Sequence, residues 1–473
     1  MQRPKKLVRV MSGVTVVAVM AKPWPCPHGR CLYCFGGAPH SPQSYAGEEP
    51  ALMRAIMCGF DPYAQVQARL RQYEALGHCP SKVELIVMGG TFPAMPRDYQ
   101  ESFVAKCLDA MNRYPQPPAG EVSLEEAQLA NEEARVRCVG LTLETRPDWA
   151  RPSDVDFMLK LGATRVELGV QTIYDEVLAA VKRGHGVREV VEATRVLKDA
   201  GLKVSYHMMI GLPGCTLDMD LRAFEEVFEN PDFRPDGLKI YPTLVVPGSE
   251  LYEVWRRGGY EPPGEEEVVE LLCKVKALLP RWVRVMRVQR DVPAQMIAAG
   301  IRTSNLREVV ARRMEEVGVR CRCIRCREVG LAMLKRGGAP DLDKLELRRE
   351  SYEASGGVEE FISIEDAERD LLVGFVRLRI PSERAHRPEV GPRTALIREL
   401  HVYGPQVPVG ARSMEGWQHR GLGSRLVREA EEVAREEYGA RRVLVNAGVG
   451  ARPYYRRLGY RRIAGSPYLV REL

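Results

Sequence analysis

Three cysteines near the amino terminus have the residue type and spacing of a metal centre. Cys26, Cys31 and Cys34 lie within nine residues of a loop rich in glycine and proline. Three thiolates can hold three corners of a 4Fe-4S cube, which leaves one iron open to another ligand. A zinc knuckle is an alternative if His28 or His40 supplies the fourth donor. The ligand count favours an iron-sulfur cluster over zinc and over unmodified thiols.

A second group of cysteines, Cys321, Cys323 and Cys326, follows a C-x-C-x2-C pattern. Four arginines flank it: Arg320, Arg322, Arg325 and Arg327. Positive charge favours the thiolate form and therefore Zn²⁺ binding. The pattern predicts a structural zinc site that joins two domains. Its fourth ligand is not evident, and a second redox cluster or free thiols are the alternatives.

The first half of the chain alternates between two kinds of element. Runs of β-type residues occupy 14–20, 82–88, 137–143, 165–170, 203–210 and 237–241. Helical patterns occupy 51–76, 97–113, 153–161, 187–200 and 216–228. Strands that alternate with helices predict a parallel sheet, either an open doubly wound sheet or a barrel of βα units. Chemistry in such folds collects at the carboxyl ends of the strands, and the cysteine loop follows the first of them.

Polar residues and glycines stand at the ends of the other five predicted strands. They are Gly89 and Gly90, Glu144 and Arg146, Gln171, His207, and Lys239 with Tyr241. Each has a structural alternative, since Glu144 and Arg146 could form an ion pair and His207 could be a hydrogen-bonded core residue. Because these strand ends meet at one edge, we expect the residues to share an active-site mouth with the cysteine loop.

The carboxy-terminal part of the chain carries a different pattern. Strand-like runs at 371–380 and 394–403 precede the segment Gln418-His-Arg-Gly-Leu-Gly423, which opens a helix to about residue 438. A Q-x-x-G-x-G pattern at a helix start presents free backbone amides to a pyrophosphate, with Arg420 in support. Tyr454 and Tyr455 follow at a spacing that resembles the GNAT acetyltransferases. These features predict an acetyl-CoA site.

The cysteine loop, the glycine pair and the six βα units resemble the radical S-adenosylmethionine superfamily. The spacing here is C-x4-C-x2-C rather than the common C-x3-C-x2-C, and one subfamily shares it. That subfamily is the catalytic subunit of the Elongator complex with its stand-alone archaeal and bacterial relatives, which the chain resembles over essentially its whole length. The likeness is carried by residues 12–20, Cys31-Leu-Tyr-Cys34, Val87-Met-Gly-Gly-Thr-Phe92, Leu143-Glu-Thr-Arg-Pro-Asp148 and Arg287-Val-Gln-Arg-Asp-Val-Pro293. Phe35 departs from the family, which usually has proline there.

The resemblance implies an α/β architecture in three parts. A partial (β/α)6 radical S-adenosylmethionine barrel is followed by a zinc-bearing connector and a mixed α/β GNAT domain. The expected boundaries are a basic leader with the first strand at 1–21, the radical domain at 22–280, a basic linker with the zinc knot at 281–355 and the acetyl-CoA domain at 356–473. The implied cofactors are a 4Fe-4S cluster, S-adenosylmethionine, acetyl-CoA and Zn²⁺.

Site residues follow from the same resemblance. Cys26, Cys31 and Cys34 would ligate the cluster, Cys321, Cys323 and Cys326 the zinc, and Lys82 would contact acetyl-CoA. Further acetyl-CoA contacts are expected at Glu399, Leu400, His401, Val402, Gln418, Arg420, Gly421, Leu422, Gly423, Ser424 and Tyr455. From chemistry alone, Tyr454 or Tyr455 would act as an acid at the thioester sulfur. Glu144 or Arg146 would, also from chemistry alone, contact S-adenosylmethionine, and Gly89, Gly90 and Gln171 are further cofactor-binding candidates.

The implied activity is the formation of 5-carboxymethyluridine at the wobble position of tRNA anticodons, by radical chemistry on the acetyl-CoA methyl group. The net charge of +6 agrees with a polyanionic partner such as the anticodon stem-loop, because the first 47 residues lack acidic side chains. A protein lysine acetyltransferase with Glu399 as base and a purely structural cluster is the main alternative. A non-catalytic tRNA scaffold is another, although the motifs are intact.

The remaining expectations concern where the protein works and with what. No helix-length apolar run and no signal peptide stand out, so we expect a cytoplasmic protein without a membrane anchor. A long basic amino-terminal extension is absent, which suggests a stand-alone prokaryotic enzyme. The sequence does not identify the electron donor or the oligomeric state.

Overall fold

The computed structural model describes residues 11–337, 340–405 and 421–473, and two seven-stranded sheets dominate them. The first sheet contains β1 (Thr15–Met20), β2 (Lys82–Met88), β3 (Arg137–Thr145), β4 (Arg165–Gln171), β5 (Lys203–Ile210), β6 (Gly237–Pro242) and β7 (Arg284–Arg287). The helices around it are α1 (Pro50–Met57), α2 (Pro62–Ala75), α3 (Arg97–Asn112), α4 (Leu124–Asn131), α5 (Pro152–Leu161), α6 (Asp175–Ala180), α7 (Val187–Asp199), α8 (Leu217–Glu229), α9 (Glu250–Arg256), α10 (Glu265–Leu278) and α11 (Leu306–Glu316).

The second sheet follows in the chain. It contains β8 (Leu345–Ala354), β9 (Gly357–Asp366), β10 (Leu371–Ile380), β11 (Thr394–Val402), β12 (Arg442–Val445), β13 (Arg461–Arg462) and β14 (Leu469–Glu472). The helices α12 (Ile324–Arg327) and α13 (Val329–Arg336) precede it, and α14 (Leu422–Glu436) and α15 (Arg452–Arg457) belong to it. None of the helices in the described ranges is both long and apolar enough to cross a membrane.

The first sheet is parallel throughout, and its strands lie side by side in chain order from β1 to β7. This is a partial barrel, as predicted, with one strand more than the six expected. Strand alternation decides which side chains enter it. On β2, Val83, Leu85 and Val87 are buried outside the barrel, whereas Glu84 and Ile86 line a cavity within it.

The exposed edge of β1 is covered by side chains of α1 and α2. Gln65 accepts from the Met20 amide (2.8 Å) and donates to the Met20 carbonyl (3.0 Å). Arg54 donates to the Ala18 carbonyl (2.6 Å), and the Tyr73 hydroxyl donates to the Val16 carbonyl (2.9 Å). These bonds occupy backbone groups that would otherwise pair with another strand. These contacts therefore prevent a further strand from pairing with β1.

The second sheet packs against the amino end of the barrel, opposite the cysteine loop. Gly448 shows how close the approach is, because a Cβ atom there would lie 2.1 Å from the carbonyl oxygen of Val139 at the start of β3. Asn446 donates to the carbonyl of Ala163, just before β4 (2.9 Å). The acetyltransferase-like part of the chain thus forms the floor of the barrel.

Buried ion pairs fasten the two sheets together. Arg398 of β11 donates to both carboxylate oxygens of Asp236, which precedes β6 (2.7 and 2.8 Å), and to Glu359 of β9 (2.7 Å). Arg379 of β10 pairs with Asp199 at the end of α7 (2.6 Å). Removing one partner of such a pair leaves an uncompensated buried charge, which costs about 3–5 kcal/mol. The relative position of the sheets is therefore strongly determined.

The six predicted strands agree with β1 to β6 to within two residues at each end. The single helix predicted over 51–76 is wrong, because α1 and α2 are separate. Gly59 and Phe60 adopt left-handed backbone angles (φ 57° and 59°), and Asp61 caps α2 through the amide of Ala64. Pro62 then occupies the first position of α2, where its missing N–H costs nothing.

The segment expected as a linker, 281–355, contains two strands. Its Arg284–Arg287 portion is β7, which pairs in parallel with β6 and completes the first sheet. Its Leu345–Ala354 portion is β8, the edge strand of the second sheet, which pairs with β9 over ten positions. The sequence analysis missed both strands because the segments are highly charged. In addition, β7 is only four residues long and β8 exposes alternate side chains.

Candidate active site

One cavity of about 770 Å³ runs through the barrel from the cysteine loop to the second sheet. At the carboxyl end it is lined by Cys26, Cys31 and Cys34, and at the amino end by Glu399 and Leu400 of β11. Its volume lies within the range of ligand and cofactor sites. The cavity therefore connects the two regions in which the sequence predicted separate chemistry.

The cysteine loop at the carboxyl end is held by buried contacts. His28 Nε2 lies 3.2 Å from the sulfur of Cys31, and the sulfur of Cys34 lies 2.8 Å from the hydroxyl of Ser44. The Arg183 guanidinium reaches the sulfur of Cys31 at 3.6 Å. A hydrogen bond from the Cys34 thiol, with help from Arg183, lowers the pKa of Cys31 to about 5 in spite of burial. Cys31 is therefore a thiolate at neutral pH.

The sulfur arrangement fits a polynuclear cluster better than a single ion. Among the described residues, Cys26, Cys31 and Cys34 do not form a group whose ligand atoms all lie within 4.8 Å of one another, whereas Cys321, Cys323 and Cys326 do. Four ligands at about 2.3 Å around one zinc ion require sulfurs closer than that. The donor set at the cavity mouth accordingly suits the predicted 4Fe-4S cluster, held at three corners.

The cofactor-binding candidates Gly89, Gly90 and Gln171 surround this mouth. Gly89 and Gly90 have positive φ angles (128° and 85°), and a Cβ atom on Gly90 would lie 3.9 Å from the sulfur of Cys26. Gln171 has a left-handed φ of 76° at the end of β4 and lines the cavity. A side chain on Gly90 would thus touch a predicted cluster ligand, and backbone strain at Gln171 marks a constrained position.

Arg146 and Glu144 do not pair with each other, so the ion pair considered as a structural alternative is wrong. Arg146 donates to Asp148 (2.9 Å, twice) and to the carbonyl of Gly184 (3.0 Å), while its buried Nη1 has no partner in the described part of the chain. Glu144 instead accepts from Lys239 of β6 (2.9 Å). A buried guanidinium nitrogen without an acceptor at a cavity wall is a donor available to a ligand.

The middle of the cavity holds a charged network that the sequence did not assign. Glu167 of β4 contacts the Lys239 ammonium and accepts from His207 Nε2 at 2.8 Å. Arg165 lies 3.5 Å from Glu167 and 2.5 Å from Glu84. Strand alternation could have predicted that Arg165 and Glu167 of β4 and His207 of β5 face the barrel interior. Their partners lie on other strands, and only the tertiary structure reveals them.

At the amino end, β11 contributes the acetyl-CoA candidates Glu399, Leu400, His401 and Val402. Glu399 lies 3.4 Å from Lys203 of β5 and 2.9 Å from Arg377. Burial alone would raise the pKa of Glu399, but these two cations outweigh it and hold the pKa at about 2. Glu399 therefore stays ionised and paired at neutral pH, which makes it a poor proton acceptor.

His401 is likewise held by its surroundings, since its ring lies 2.7 Å from the carbonyl of Ser12 and stacks on Tyr403 at 4.2 Å. Val402 pairs with Gly374 of β10. Lys82 begins β2, at the end of the barrel on which the second sheet packs. Burial lowers the pKa of Lys82 to about 8. Of these positions, His401 lines the cavity, while Lys82 and Val402 lie outside its lining at the same end of the barrel.

The start of α14 provides the rest of the predicted acetyl-CoA site. Gly421 has a left-handed φ of 82° and precedes Leu422, Gly423 and Ser424 in the first turn. A Cβ atom on Gly423 would lie 2.7 Å from the hydroxyl of Tyr454 and 3.8 Å from Leu400. The free amides of this turn therefore open beside Tyr454 and the cavity wall. Gln418 and Arg420 lie outside the described residues.

The two tyrosines predicted as acids differ in their surroundings. The Tyr454 hydroxyl is buried near Ser424 and has no hydrogen bond of normal geometry to any described residue. Tyr455 is packed in the core, with edge-on contacts to Tyr454 and Tyr460 at 5.4 and 5.6 Å. Burial raises the pKa of both, so both are protonated. Tyr454 is the better placed proton donor.

The second cysteine group lies beside β7. The sulfurs of Cys321, Cys323 and Cys326 are within 4.8 Å of one another, and Cys323 is fully buried. Hydrogen bonds from Cys321 and Cys326 lower the pKa of Cys323 well below its usual value. This donor set fits one zinc ion, although no other His, Cys, Asp or Glu of the described ranges joins it.

Family models match the barrel and the second sheet separately. The Radical SAM superfamily model matches residues 25–226, the Radical SAM C-terminal domain model matches residues 235–316, and the Acetyltransferase (GNAT) family model matches residues 335–460. The first two cover the barrel with the cysteine loop. The third covers the sheet that forms its floor.

Whole-length relatives are also similar. The tRNA uridine(34) acetyltransferase of Methanocaldococcus jannaschii is 53% identical over 464 residues, which are 97% of this chain and 85% of the relative. Elongator complex protein 3 of Homo sapiens is 44% identical over 477 residues, which are 99% of this chain and 86% of the relative. The solved structure of Methanocaldococcus infernus Elp3 with an amino-terminal deletion is 48% identical and has a TM-score of 0.86, covering 98% of this chain and 100% of that one.

Proposed function

Because this chain belongs to the family of the tRNA uridine(34) acetyltransferases and Elongator complex protein 3, we propose that it converts the wobble uridine of tRNA to 5-carboxymethyluridine. Acetyl-CoA supplies the two added carbons, and S-adenosylmethionine supplies the radical. The observation that carries the proposal is the single cavity, which touches the cysteine loop at one end and the acetyl-CoA candidates of β11 at the other. A reaction between the two cofactors needs such a shared space.

The carboxyl end of the cavity binds the radical source. A 4Fe-4S cluster with S-adenosylmethionine, when bound, supplies a carbon-centred radical able to remove hydrogen from a methyl group. Cys26, Cys31 and Cys34 hold the cluster, and Arg183 offsets the negative charge at Cys31. Gly90 keeps the space beside Cys26 clear, and Arg146 Nη1 is free to donate to a carboxylate.

The mouth of the cavity receives the base. Arg287 and Arg290 line it, and Arg290 also lies over the ring of Phe35 at 5.0 Å and bonds to Ser44. The segment after β7 thus packs on the cysteine loop and brings two cations to the rim. We expect them to contact anticodon phosphates while the wobble base is extruded into the cavity. The basic leader would add a sequence-independent attraction to the tRNA backbone.

The floor of the cavity holds acetyl-CoA. The first turn of α14, from Leu422 to Ser424, would bind the pyrophosphate through its free amides. Lys82 and the β11 residues would flank the acyl end, and the Tyr454 hydroxyl would protonate the departing sulfur. The cysteine group after β7 would bind structural zinc, in a connector between the radical domain at 22–280 and the acetyl-CoA domain at 356–473. We propose a cytoplasmic enzyme that works without other Elongator subunits.

A protein lysine acetyltransferase is less well supported. That reaction needs a base to remove a proton from the attacking ammonium, and Glu399 is the candidate that the sequence suggests. Lys203 and Arg377 occupy the Glu399 carboxylate, and its pKa of about 2 leaves it with almost no affinity for a proton at pH 7. The geometry therefore favours the tRNA reaction.

The test is an anaerobic reaction of reconstituted protein with S-adenosylmethionine, reductant, unmodified tRNA and methyl-labelled acetyl-CoA. We expect labelled 5-carboxymethyluridine and 5'-deoxyadenosine, and both should vanish in the double variant Cys31→Ala, Cys34→Ala. The exposed Cys79 provides the matched control, Cys79→Ala, which should behave as the wild type. Acetyl groups on protein lysines, with no label in tRNA and no effect of the double variant, would overturn the proposal.

A further inference from the structure

The thioester must be hydrolysed inside the barrel if the proposed function holds. Once the acetyl methyl carbon has joined C5 of the uracil, the thioester carbon is bonded directly to that methylene group. The base enters from the carboxyl end and CoA is held at the amino end, so the thioester carbon between them is enclosed by the barrel wall. Hydrolysis then needs a group in the barrel wall that can take a proton from water.

Few groups in this part of the wall can accept a proton. Glu144 and Glu167 both form ion pairs with the Lys239 ammonium, so their carboxylates are already engaged. Burial raises the pKa of Tyr45 and of Tyr241, so both keep their protons. His28 contacts the sulfur of Cys31 and belongs to the cluster loop. Glu49 accepts from the amides of Ala46 and Gly47, and Asp291 pairs with Arg287. Among the described residues of the upper cavity, we therefore consider His207 as the candidate.

His207 has the surroundings of a general base. Its Nε2 lies 2.8 Å from Oε2 of Glu167, and no described residue forms a hydrogen bond with its Nδ1. The side chain lines the cavity and keeps 14% of its surface accessible, although the Glu167 side chain is fully buried. Burial and the neighbouring Lys239 lower the pKa of His207 in spite of Glu167, so the ring is neutral at pH 7. A carboxylate that fixes one ring nitrogen leaves the other as the acceptor.

The position of His207 also agrees with the geometry of the reaction. His207 lies four residues beyond Lys203 on β5, about 13 Å from the floor at 3.3 Å per residue. It is two residues from Met209, which packs against the cysteine loop in the same apolar cluster as Tyr33. His207 therefore lies between the acetyl-CoA end and the cluster end, nearer to the latter.

We propose that His207 is the general base that hydrolyses the thioester, and that Glu167 is the residue that positions it. His207 Nδ1 takes a proton from water while the water oxygen attacks the thioester carbon. The carbon–sulfur bond breaks, and the departing CoA thiolate takes a proton from Tyr454, which regains one from solvent as His207 releases its own. The products are the carboxylate, free CoA thiol and one proton released to solvent. No oxidant or reductant takes part.

The same three side chains could be taken for a metal site, because the ligand atoms of Glu144, Glu167 and His207 lie within 4.8 Å of one another. The Lys239 ammonium already contacts both carboxylates and supplies the positive charge that an ion would bring. Lys239 itself lines the cavity, so its ammonium group can stabilise the oxyanion that forms during hydrolysis.

The experiment separates radical formation from hydrolysis in the full reaction described above. The variant His207→Gln should keep 5'-deoxyadenosine formation within about threefold of the wild type. Carboxymethyluridine and free CoA should fall about 10²-fold to 10⁴-fold, the usual contribution of a general base. Label should instead accumulate in tRNA as a CoA thioester, which hydroxylamine converts to a hydroxamate. His386→Gln is the matched control, since His386 bonds to Asp156 and does not line the cavity.

Several outcomes overturn the proposal. Carboxymethyluridine at the wild-type rate in His207→Gln would show that another group is the base. An equal loss of 5'-deoxyadenosine and product would place His207 in the radical step. If His207→Gln loses iron, His207→Ala is assayed with added imidazole, where recovery of hydrolysis supports the proposal and no recovery overturns it. Failure of the proposed function is distinguishable, because the wild type itself would then put no label into tRNA.

The positioning role of Glu167 has its own readout. His207 faces the charged groups Glu167, Glu144 and Lys239, together with Tyr241. Loss of the Glu167 carboxylate in Glu167→Gln removes the nearest stabiliser of the protonated ring, so the pKa of His207 falls. The acidic limb of the pH profile for CoA release should therefore move to lower pH while the plateau drops. A lower rate without movement of that limb would contradict the positioning role.

Discussion

The Arg183 guanidinium lies 3.6 Å from the sulfur of Cys31, so a buried positive charge adjoins one of the three proposed cluster ligands. Arg183 is itself fixed by two hydrogen bonds to the carbonyl of Gly169 (2.6 and 3.2 Å). Such a charge stabilises the reduced, more negative state of a cluster. The residue belongs to none of the motifs in the sequence, and its role follows from the fold.

The first prediction concerns the reduction potential of the cluster. A unit charge about 6 Å away at an effective dielectric constant of about 20 is worth about 3 kcal/mol, or roughly 100 mV. Arg183→Gln should therefore lower the potential by roughly that amount, measured by a redox titration followed by electron paramagnetic resonance. Arg435→Gln, at an exposed arginine of α14, is the control. An unchanged potential in Arg183→Gln would show that the charge does not reach the cluster.

Lys82 is predicted to react with acylating reagents at unusually low pH. Burial lowers its pKa to about 8, so its neutral fraction at pH 7 is roughly 300 times that of a lysine with a pKa near 10.5. Labelling with isotope-coded acetic anhydride, read by mass spectrometry, should rise steeply between pH 7 and 9. Acetyl-CoA should protect Lys82 but leave the exposed Lys106 unaffected. Labelling that is insensitive to acetyl-CoA would remove Lys82 from the acetyl-CoA site.

Tyr454 is predicted to act at the sulfur rather than in binding. Tyr454→Phe should lower the rate of CoA release about 10-fold to 100-fold, because the variant lacks a proton donor. The dissociation constant of acetyl-CoA, measured by calorimetry, should change less than twofold. Tyr460→Phe is a suitable comparison, since its hydroxyl bonds to Glu431 away from the cavity. A weakened binding constant with unchanged turnover would indicate that Tyr454 only packs against the ligand.

The contact between the sheets should dominate the stability of the protein. Arg398→Met leaves Asp236 and Glu359 as buried carboxylates without their shared partner, which should cost about 3–5 kcal/mol of unfolding free energy. The exposed pair of Arg435 and Glu436 is a matched case, and Arg435→Ala should cost less than about 0.5 kcal/mol. Denaturant unfolding of the two variants gives both values. Equal losses would mean that the interface pair is compensated elsewhere.

The sequence was sufficient for the parts of the fold that local patterns determine. Strands β2 and β5 agree with the prediction at both ends, because their apolar runs are bounded by charged residues or glycine. Strand β7 was missed since it has only two apolar residues, which stand between two arginines. The break at Gly59 and Phe60 was missed because left-handed angles at two successive residues depend on the helices that they join.

Site residues could be predicted where a local sequence motif contains them. They could not be predicted where their role depends on a side chain from another strand. Cys26, Cys31 and Cys34 follow from spacing. For His207 the sequence left two interpretations open, an active-site residue or a hydrogen-bonded core residue. The proposed function of His207 depends on Glu167 from a neighbouring strand and on the space at Nδ1, and neither is visible in the sequence. The proposed base Glu399 fails for the same reason, because Lys203 and Arg377 that neutralise it come from two other strands.

The floor that the second sheet makes for the barrel has a kinetic consequence. If the proposed function holds, acetyl-CoA approaches from the amino end and tRNA from the carboxyl end, so neither would block the path of the other. S-adenosylmethionine would share the upper entrance with tRNA and lie beneath it, so it would bind first and its products would leave last. We then expect a compulsory order of S-adenosylmethionine before tRNA and a random order for acetyl-CoA.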